Sequence, residues 1–301
     1  MNLILFDGNL RNHLLPFTYT RPLAHMRIGI LTIAEKWAKH LETTPSYYVP
    51  NYLATKFKLK IEEDNMLVNG ALCPNMRILS KIVDLKRGQG LYHGDTLLAA
   101  RLNGEDAVDY DQRITHKIEF TSDITLIDRP WKLFSNNASE LERDYDLLTA
   151  GRQSAPLSST NTLIGDRIFL EKGVTAEAAT FNTTSGPIYL AAHSEVMEGS
   201  MIRGGLSLGE HSALKLGTKI YGAVTIGPHS KVGGEVNNSV IFGYSNKGHD
   251  GFLGNSVLGE WCNIGADTNN SNLKNNYDEV RLWSYVKGGF ERTGLQFCGL
   301  M

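Results

Sequence analysis

VMEGSMIRGGLSLGEHSALKLGTKIYGAVTIGPHSKV, residues 196–232, carries an apolar residue at every sixth position: Val196, Ile202, Leu208, Leu214, Ile220, Ile226 and Val232. Small or polar residues such as Gly209, Ser212, Gly217, Thr218, Gly227 and Ser230 lie between them. A period of six fits neither the 3.6-residue turn of an amphipathic helix nor the alternation of a half-buried strand. A short fixed period marks a solenoid, in which each repeat buries its apolar residue only by stacking on its neighbours. Each unit is one short strand and a turn. Three units, about eighteen residues, close one triangular coil, with successive coils roughly 4.8 Å apart as hydrogen-bonded strands are.

Working outward, the frame extends upstream through Ile164, Leu170, Ala176 and Ile188, with Asn182 breaking the apolar rule. Downstream, an irregular segment at 238–251 precedes Phe252, Leu258, Ile264 and Asn270. The first half reads differently, as an α/β domain with a Rossmann-like sheet. Leu3–Phe6, Met66–Val68 and Ile124–Ile127 are short apolar strands. Residues 28–42 and 137–150 carry helical spacing, the second with Asn136 or Asn137 as cap and Gly151 just past its end. The polar run QSAPLSST, Gln153–Thr160, reads as the connector. The expected domains are therefore 1–152, α/β, and 160–301, solenoid.

Composition narrows the function. Thirty Lys and Arg against 32 Asp and Glu leave a formal charge of −2, without the basic stripe that nucleic-acid binding requires. Three scattered cysteines, Cys73, Cys262 and Cys298, read as a reducing cytoplasm rather than a disulfide framework. The apolar opening MNLILF is too short for a signal or a membrane span.

Leu15-Pro16-Phe17-Thr18-Tyr19-Thr20-Arg21-Pro22 and Arg129-Pro130-Trp131-Lys132-Leu133-Phe134 resemble signature segments of sugar-phosphate nucleotidyltransferases. Where that family cradles phosphates on several glycines, this chain has Phe6-Asp7-Gly8-Asn9-Leu10-Arg11, with one. After Val68-Asn69-Gly70, where a metal-binding aspartate is expected, Ala71 follows. Asp95 of Gly94-Asp95 is the substitute candidate for Mg2+, and Arg21 and Arg27 are candidate phosphate ligands. The expectation is a nucleotidyltransferase-like domain with altered chemistry.

The stretch from Gly234 to Asn276, with His249, Asn263-Ile264-Gly265-Ala266 and Asn272, resembles the left-handed β-helix acetyltransferase domain of GlmU-type bifunctional enzymes. GlmU-like proteins of the Bacteroidetes type carry both halves in this order. The resemblance implies acetyl transfer from acetyl-CoA to a glucosamine-1-phosphate-like acceptor, and a cytoplasmic homotrimer without nucleic-acid or membrane partners. It places the general base on His249 and substrate contacts on Asn263 and Asn272. The family's cationic and tyrosine positions fall on Asn237, Lys219 and Phe252, and Glu235 is available to orient the base. An imidazole suits removal of a proton from a sugar amine attacking a thioester. A retained first domain would add Mg2+ and UTP or dTTP, making the chain a sugar-1-phosphate nucleotidyltransferase with the solenoid as assembly element. A non-catalytic scaffold is the third reading. Because the sequence stops at Met301 in what reads as a resumed coil, an incomplete solenoid with an uncapped last edge is expected, and little acetyltransferase activity from this chain alone.

Overall fold

The structure is a computed structural model and describes residues 2–301. By their contacts these residues form two units: the chain up to Met26 with Leu31–Asp128, and Arg27–Ile30 with Arg129–Met301.

The first unit is built on a mixed sheet. Its strands are β1 (Asn2–Phe6), β2 (Ser46–Tyr48), β3 (Asp64–Asn69), β4 (Gln89–His93), β5 (Thr96–Asn103) and β6 (His116–Glu119), in spatial order β2-β1-β3-β5-β4-β6. Strand β1 runs parallel to both β2 and β3, whereas β3–β5 and β4–β5 are antiparallel. The run Leu3-Ile4-Leu5-Phe6 is apolar throughout because β1 is central and buried on both faces. Helix α1 (Ile33–Leu41) begins later than the spacing from residue 28 suggests. Thr32 and Glu35 form a reciprocal capping box that fixes its start, leaving Ile30 outside. Trp37 of α1 is fully buried and donates from Nε1 to the Leu72 carbonyl at 2.7 Å.

The second unit is a parallel β-helix of about six turns. Its first face stacks Thr162–Ile164, Thr180–Asn182, Met201–Arg203, Lys219–Tyr221, Glu235–Asn237 and Phe252–Gly254. Its second face stacks Ile168–Leu170, Ile188–Leu190, Leu206–Leu208, Val224–Ile226, Val240–Gly243 and Val257–Glu260. The third face stacks Thr175–Ala176, Glu195–Val196, Ala213–Leu214, Lys231–Val232 and Asn246–Lys247, and a bridge from Asn246 to Asn263 continues it. All seven residues that define the hexad frame lie in one core at no more than 2% exposure. The frame drifts at both ends. In the early coils the inward residue of the first face is Phe181, fully buried, while Asn182 and Ile164 point outward in register. In the last coil it is Leu253 that enters the core, and Phe252 aligns with outward Glu235.

Residues 238–251 do not leave the solenoid. They form a coil one residue short of eighteen, between first-face strands starting at Glu235 and Phe252, so the frame slips while the stack continues. Nor is the last edge left open where the chain returns on itself. Gly299 N–H donates to Asn255, Val257 N–H to Leu300, and Leu300 N–H to Ser256 Oγ. An antiparallel hairpin, Arg281–Ser284 with Gly289–Arg292, precedes this return.

Helices α2 (Trp131–Ser135) and α3 (Asn137–Thr149) belong to the second unit, so the connector boundary read at 152–160 lies inside that unit. The connector itself is tied to the first coil, with Ala155 N–H donating to Leu170 and Leu170 N–H to Ser154 Oγ. Outward Thr225 of the second face, fully buried, donates from Oγ1 to Gly29 at 2.6 Å and to Asn137 Oδ1 at 3.0 Å. Asn137 in turn accepts from Gly29 N–H at 2.7 Å and donates to Ala223 at 3.1 Å, and Asp144 accepts from Ile30 N–H at 2.8 Å. This polar clip fastens residues 27–30 and α3 onto the second face. Among the described residues no helix is long and apolar enough to cross a membrane.

Candidate functional site

Two concave regions carry chemistry, one in each unit. In the first unit, β1 is flanked by parallel strands reached through opposite crossovers, which opens a crevice at the strands' carboxyl ends. A cavity of about 610 Å3 lies there, lined by Asp7, Gly8 and Arg11 after β1, Tyr47 and Tyr48 at the end of β2 with Val49 to Asn51 after it, and Val108 and Tyr110. Tyr110 packs on Phe6 at 4.9 Å and edge-on to Tyr48 at 5.7 Å, so the walls are aromatic. Burial pushes the Tyr110 hydroxyl far above the usual phenol range, with Asp111 adding to the effect.

Among the described residues lining this crevice, the charged ones, Asp7 and Arg11, satisfy each other. Arg11 pairs with Asp7, and also donates to the carbonyls of Thr18 and Arg21 and to Tyr52 Oη at 2.7 Å. Asp7 additionally accepts the Leu23 N–H at 2.7 Å. Burial raises the Asp7 carboxyl above the usual carboxylate range, against the pull of that N–H and of Arg11. A guanidinium so occupied has little left for a phosphate, and a carboxylate so occupied is a poor Mg2+ ligand. The crevice therefore does not fit a magnesium-bound triphosphate.

The residues singled out in the first half of the sequence are scattered. Asp95 stands exposed in the two-residue turn between β4 and β5, where Gly94 takes a positive φ. Arg21 offers its carbonyl to Arg11 in the first unit, whereas Arg27 belongs to the second. Arg27 donates to the carbonyls of Phe242 and Ile30, acting as a strut. No group of three His, Cys, Asp or Glu that could hold a metal ion occurs among the described residues.

The second concave region is a groove of about 700 Å3 on the first face of the solenoid. Its lining includes Asn182, Met201, Arg203, Lys219, Tyr221 and Glu235. Strand register places Lys219, Glu235 and Phe252 in one outward row, with Met201 beneath them. Arg203, Tyr221 and Asn237 form the adjacent row. Arg203 and Lys219 are thus diagonal neighbours, roughly 8 Å apart at their backbones by strand geometry. Both are exposed, and neither side chain makes a hydrogen bond or ion pair with another described residue. Tyr221 donates to Glu235 at 2.5 Å, which pushes its hydroxyl up to about 12.

The remaining candidates lie around this groove rather than in it. His249 sits exposed on the corner that leads from the third face to Phe252, and its ring has no hydrogen-bond partner among the described residues. Its carbonyl is held from inside by Lys247 Nζ at 2.8 Å, which also donates to Gly233 at 2.9 Å. Phe252 lies across Gly254, where an added Cβ would stand 2.4 Å from the ring. Asn263 accepts from Asn246 on the third face, and Asn272 donates to Asn255 beyond the first. Lys219, Glu235, Asn237 and Phe252 thus share a face, while Asn263 and Asn272 form separate asparagine pairs.

Comparison with known proteins bears on the first half. The family described as sugar nucleotidyl transferase matches residues 3–153. The chain belongs to the sugar nucleotidyl transferase family. That match covers β1 to β6 and runs through α3, so it includes the crevice with its Asp7–Arg11 pair. No curated protein matches the chain. Sequence reasoning missed that pair, although Asp7 and Arg11 are four residues apart, close enough to meet across one turn. It also missed Tyr221, whose row position follows from Arg203 by one coil of eighteen residues.

Proposed function

We propose that this sugar nucleotidyl transferase family member acts on a sugar phosphate, and that the solenoid groove recognises it. The observation that carries this reading is the juxtaposition of Arg203 and Lys219, two unpartnered cations, beside Tyr221 and Glu235. Two cations converging from adjacent strands suit a phosphate, a tyrosine ring suits the apolar face of a pyranose, and a carboxylate accepts from sugar hydroxyls. The reaction in this reading is acetyl transfer of the GlmU type. The sugar amine attacks the acetyl-CoA carbonyl carbon, the thioester C–S bond breaks, the amine proton passes to His249, and the leaving thiolate is protonated to free CoA. The bare, exposed ring of His249 at the corner next to this face is available for that proton. Homotrimer assembly through the first faces belongs to the same reading, supported by exposed Ile164 and Met201 there.

Thiol release with acetyl-CoA and glucosamine-1-phosphate tests the reaction, and calorimetric titration of glucosamine-1-phosphate tests recognition. The double variant R203Q/K219Q should abolish that binding. Unchanged affinity in the double variant refutes the groove, and unchanged thiol release in H249A refutes the base.

A second reading is favoured by the family match over residues 3–153: nucleotidyl transfer in the crevice of the first unit. The Asp7–Arg11 pair argues against it, and pyrophosphate release with UTP or dTTP and a sugar phosphate would reinstate it.

A further inference from the structure

One corner of the solenoid carries five stacked rings. His193 and His211 stack at 5.1 Å between centroids, His211 and His229 at 5.1 Å, His229 and Tyr244 at 5.1 Å, and Tyr244 and Trp261 at 4.9 Å. Adjacent planes deviate by 8° to 20°, so the rings are close to parallel. Every ring residue has a positive φ, between 50° and 62°. The left-handed conformation recurs because the chain turns the same corner in each coil. The spacing of the rings is set by the spacing of the coils.

The two ends of the stack differ. At the lower end Gly173 closes it: a Cβ there would stand 2.4 Å from His193 Nδ1, so the backbone lies directly against the ring. At the upper end Trp261 is 76% exposed. Ring size also grows toward the open end, from three imidazoles through a phenol to an indole. The array ends on its largest π-surface, parallel to the rings below and uncovered.

We propose that the outer face of Trp261 is a stacking platform for the purine base of a nucleotide. A bicyclic base matches the indole in area and continues the stack at its own repeat. Glu210, 3.5 Å from His211, lies alongside the middle of the stack, three rings below the platform. What the platform offers a ligand is an open ring face, so the base, rather than a phosphate, is what this site recognises. Adenosine therefore binds at least as well as AMP. The same surface accepts the adenine of free adenine nucleotides or that of coenzyme A, and does so whether or not the solenoid transfers an acyl group.

Quenching of tryptophan fluorescence in the full chain tests this directly, because an indole stacked on a base loses emission. Titrations use adenosine, AMP, coenzyme A and, as a single-ring comparison, uridine. Saturable quenching by adenosine in the millimolar range is expected, weaker with uridine. W261A, followed by calorimetric titration of adenosine because the variant lacks the reporting indole, should weaken binding roughly 5- to 150-fold, the range of base–aromatic stacking, and W261F less. W283A should leave it intact. Tighter binding of coenzyme A than of AMP, with the same loss in W261A, identifies the cofactor as the source of the base; equal binding identifies free nucleotides. Absence of saturable quenching in the wild type, calorimetric adenosine affinity unchanged in W261A, or a preference for uridine overturns the proposal. Trp261 is exposed, so these variants keep the fold, which far-ultraviolet circular dichroism checks.

Discussion

Removing the side chain of Asn137 tests the polar clip that fastens residues 27–30 to the solenoid. Asn137 is fully buried and makes three hydrogen bonds, accepting from Gly29 N–H and Thr225 Oγ1 and donating to Ala223. In N137A the Thr225 hydroxyl keeps its bond to the Gly29 carbonyl at 2.6 Å. The Gly29 N–H and the Ala223 carbonyl lose the partner that Asn137 supplied. Each buried polar group left without a partner costs about 1–3 kcal/mol, so the variant should lose about 3 kcal/mol, within a span of roughly 2–6. For a unit of this size that corresponds to a fall of about 6–12 °C in Tm. Urea unfolding followed by circular dichroism, read on the transition of the second unit, measures the loss. A double-mutant cycle with T225V should show a coupling of about 0.5–3 kcal/mol, since the two side chains share Gly29. A loss below about 1 kcal/mol in N137A, or additivity in the cycle, refutes the clip as a source of stability.

Three further outcomes follow from the same geometry. G29A should be destabilised in that unit, because Gly29 has φ +71° and an added Cβ would stand 2.5 Å from Asp144 Oδ2; thermal unfolding checks it, and an unchanged Tm would contradict it. In the first unit the Arg101 guanidinium holds the Asp64 carboxyl below the usual carboxylate range through bonds of 2.8 and 2.9 Å. That contribution is present above about pH 4 and lost as pH falls through the lowered value, so D64N should flatten the acid limb of the pH–stability curve. Burial lowers the Lys247 ammonium from its ordinary value. The folded state then binds fewer protons than the unfolded one as pH approaches the ordinary lysine range, so the wild type should gain stability relative to K247M as pH rises from 7 to 10. A difference constant over that range counts against the assignment.

The solenoid was legible because its rule is one of burial. Every sixth residue from Val196 to Val232 enters a core shared with the coils above and below, joined there by Leu206 and Val224. The rule failed where coil length changed. Shortened coils moved the inward position to Leu253, and a slip upstream moved it to Phe181, because a hexad count has no means of registering a corner that gains or loses a residue. The division into units was less legible than the connector suggested. Gln153–Thr160 looks like a linker, yet α3 packs on the second face through Asn137, a polar residue whose burial no hydrophobic pattern reports. The crevice of the first unit is lined by the single glycine after β1, Gly8, which was legible in the sequence. Its mutual neutralisation by Asp7 and Arg11 depends on tertiary contacts from Thr18, Arg21, Leu23 and Tyr52.

The site residues follow a different logic from the core. In a parallel solenoid each outward row repeats the same backbone environment, so the coil-to-coil sequence along a row is free to vary wherever packing does not constrain it. Lys219, Glu235 and Phe252 occupy one such row, and a cation, an anion and an aromatic in succession have no stacking advantage over one another. The neighbouring corner behaves oppositely: His193, His211 and His229 recur at one coil's spacing and gain from stacking on their like. A row of unlike residues beside a groove therefore points to a ligand with unlike groups, and a row of like residues points first to stability. Trp261 is where the second kind of row meets solvent: His193 at the other end is closed by Gly173, whereas Trp261 stacks on Tyr244 alone and is largely exposed.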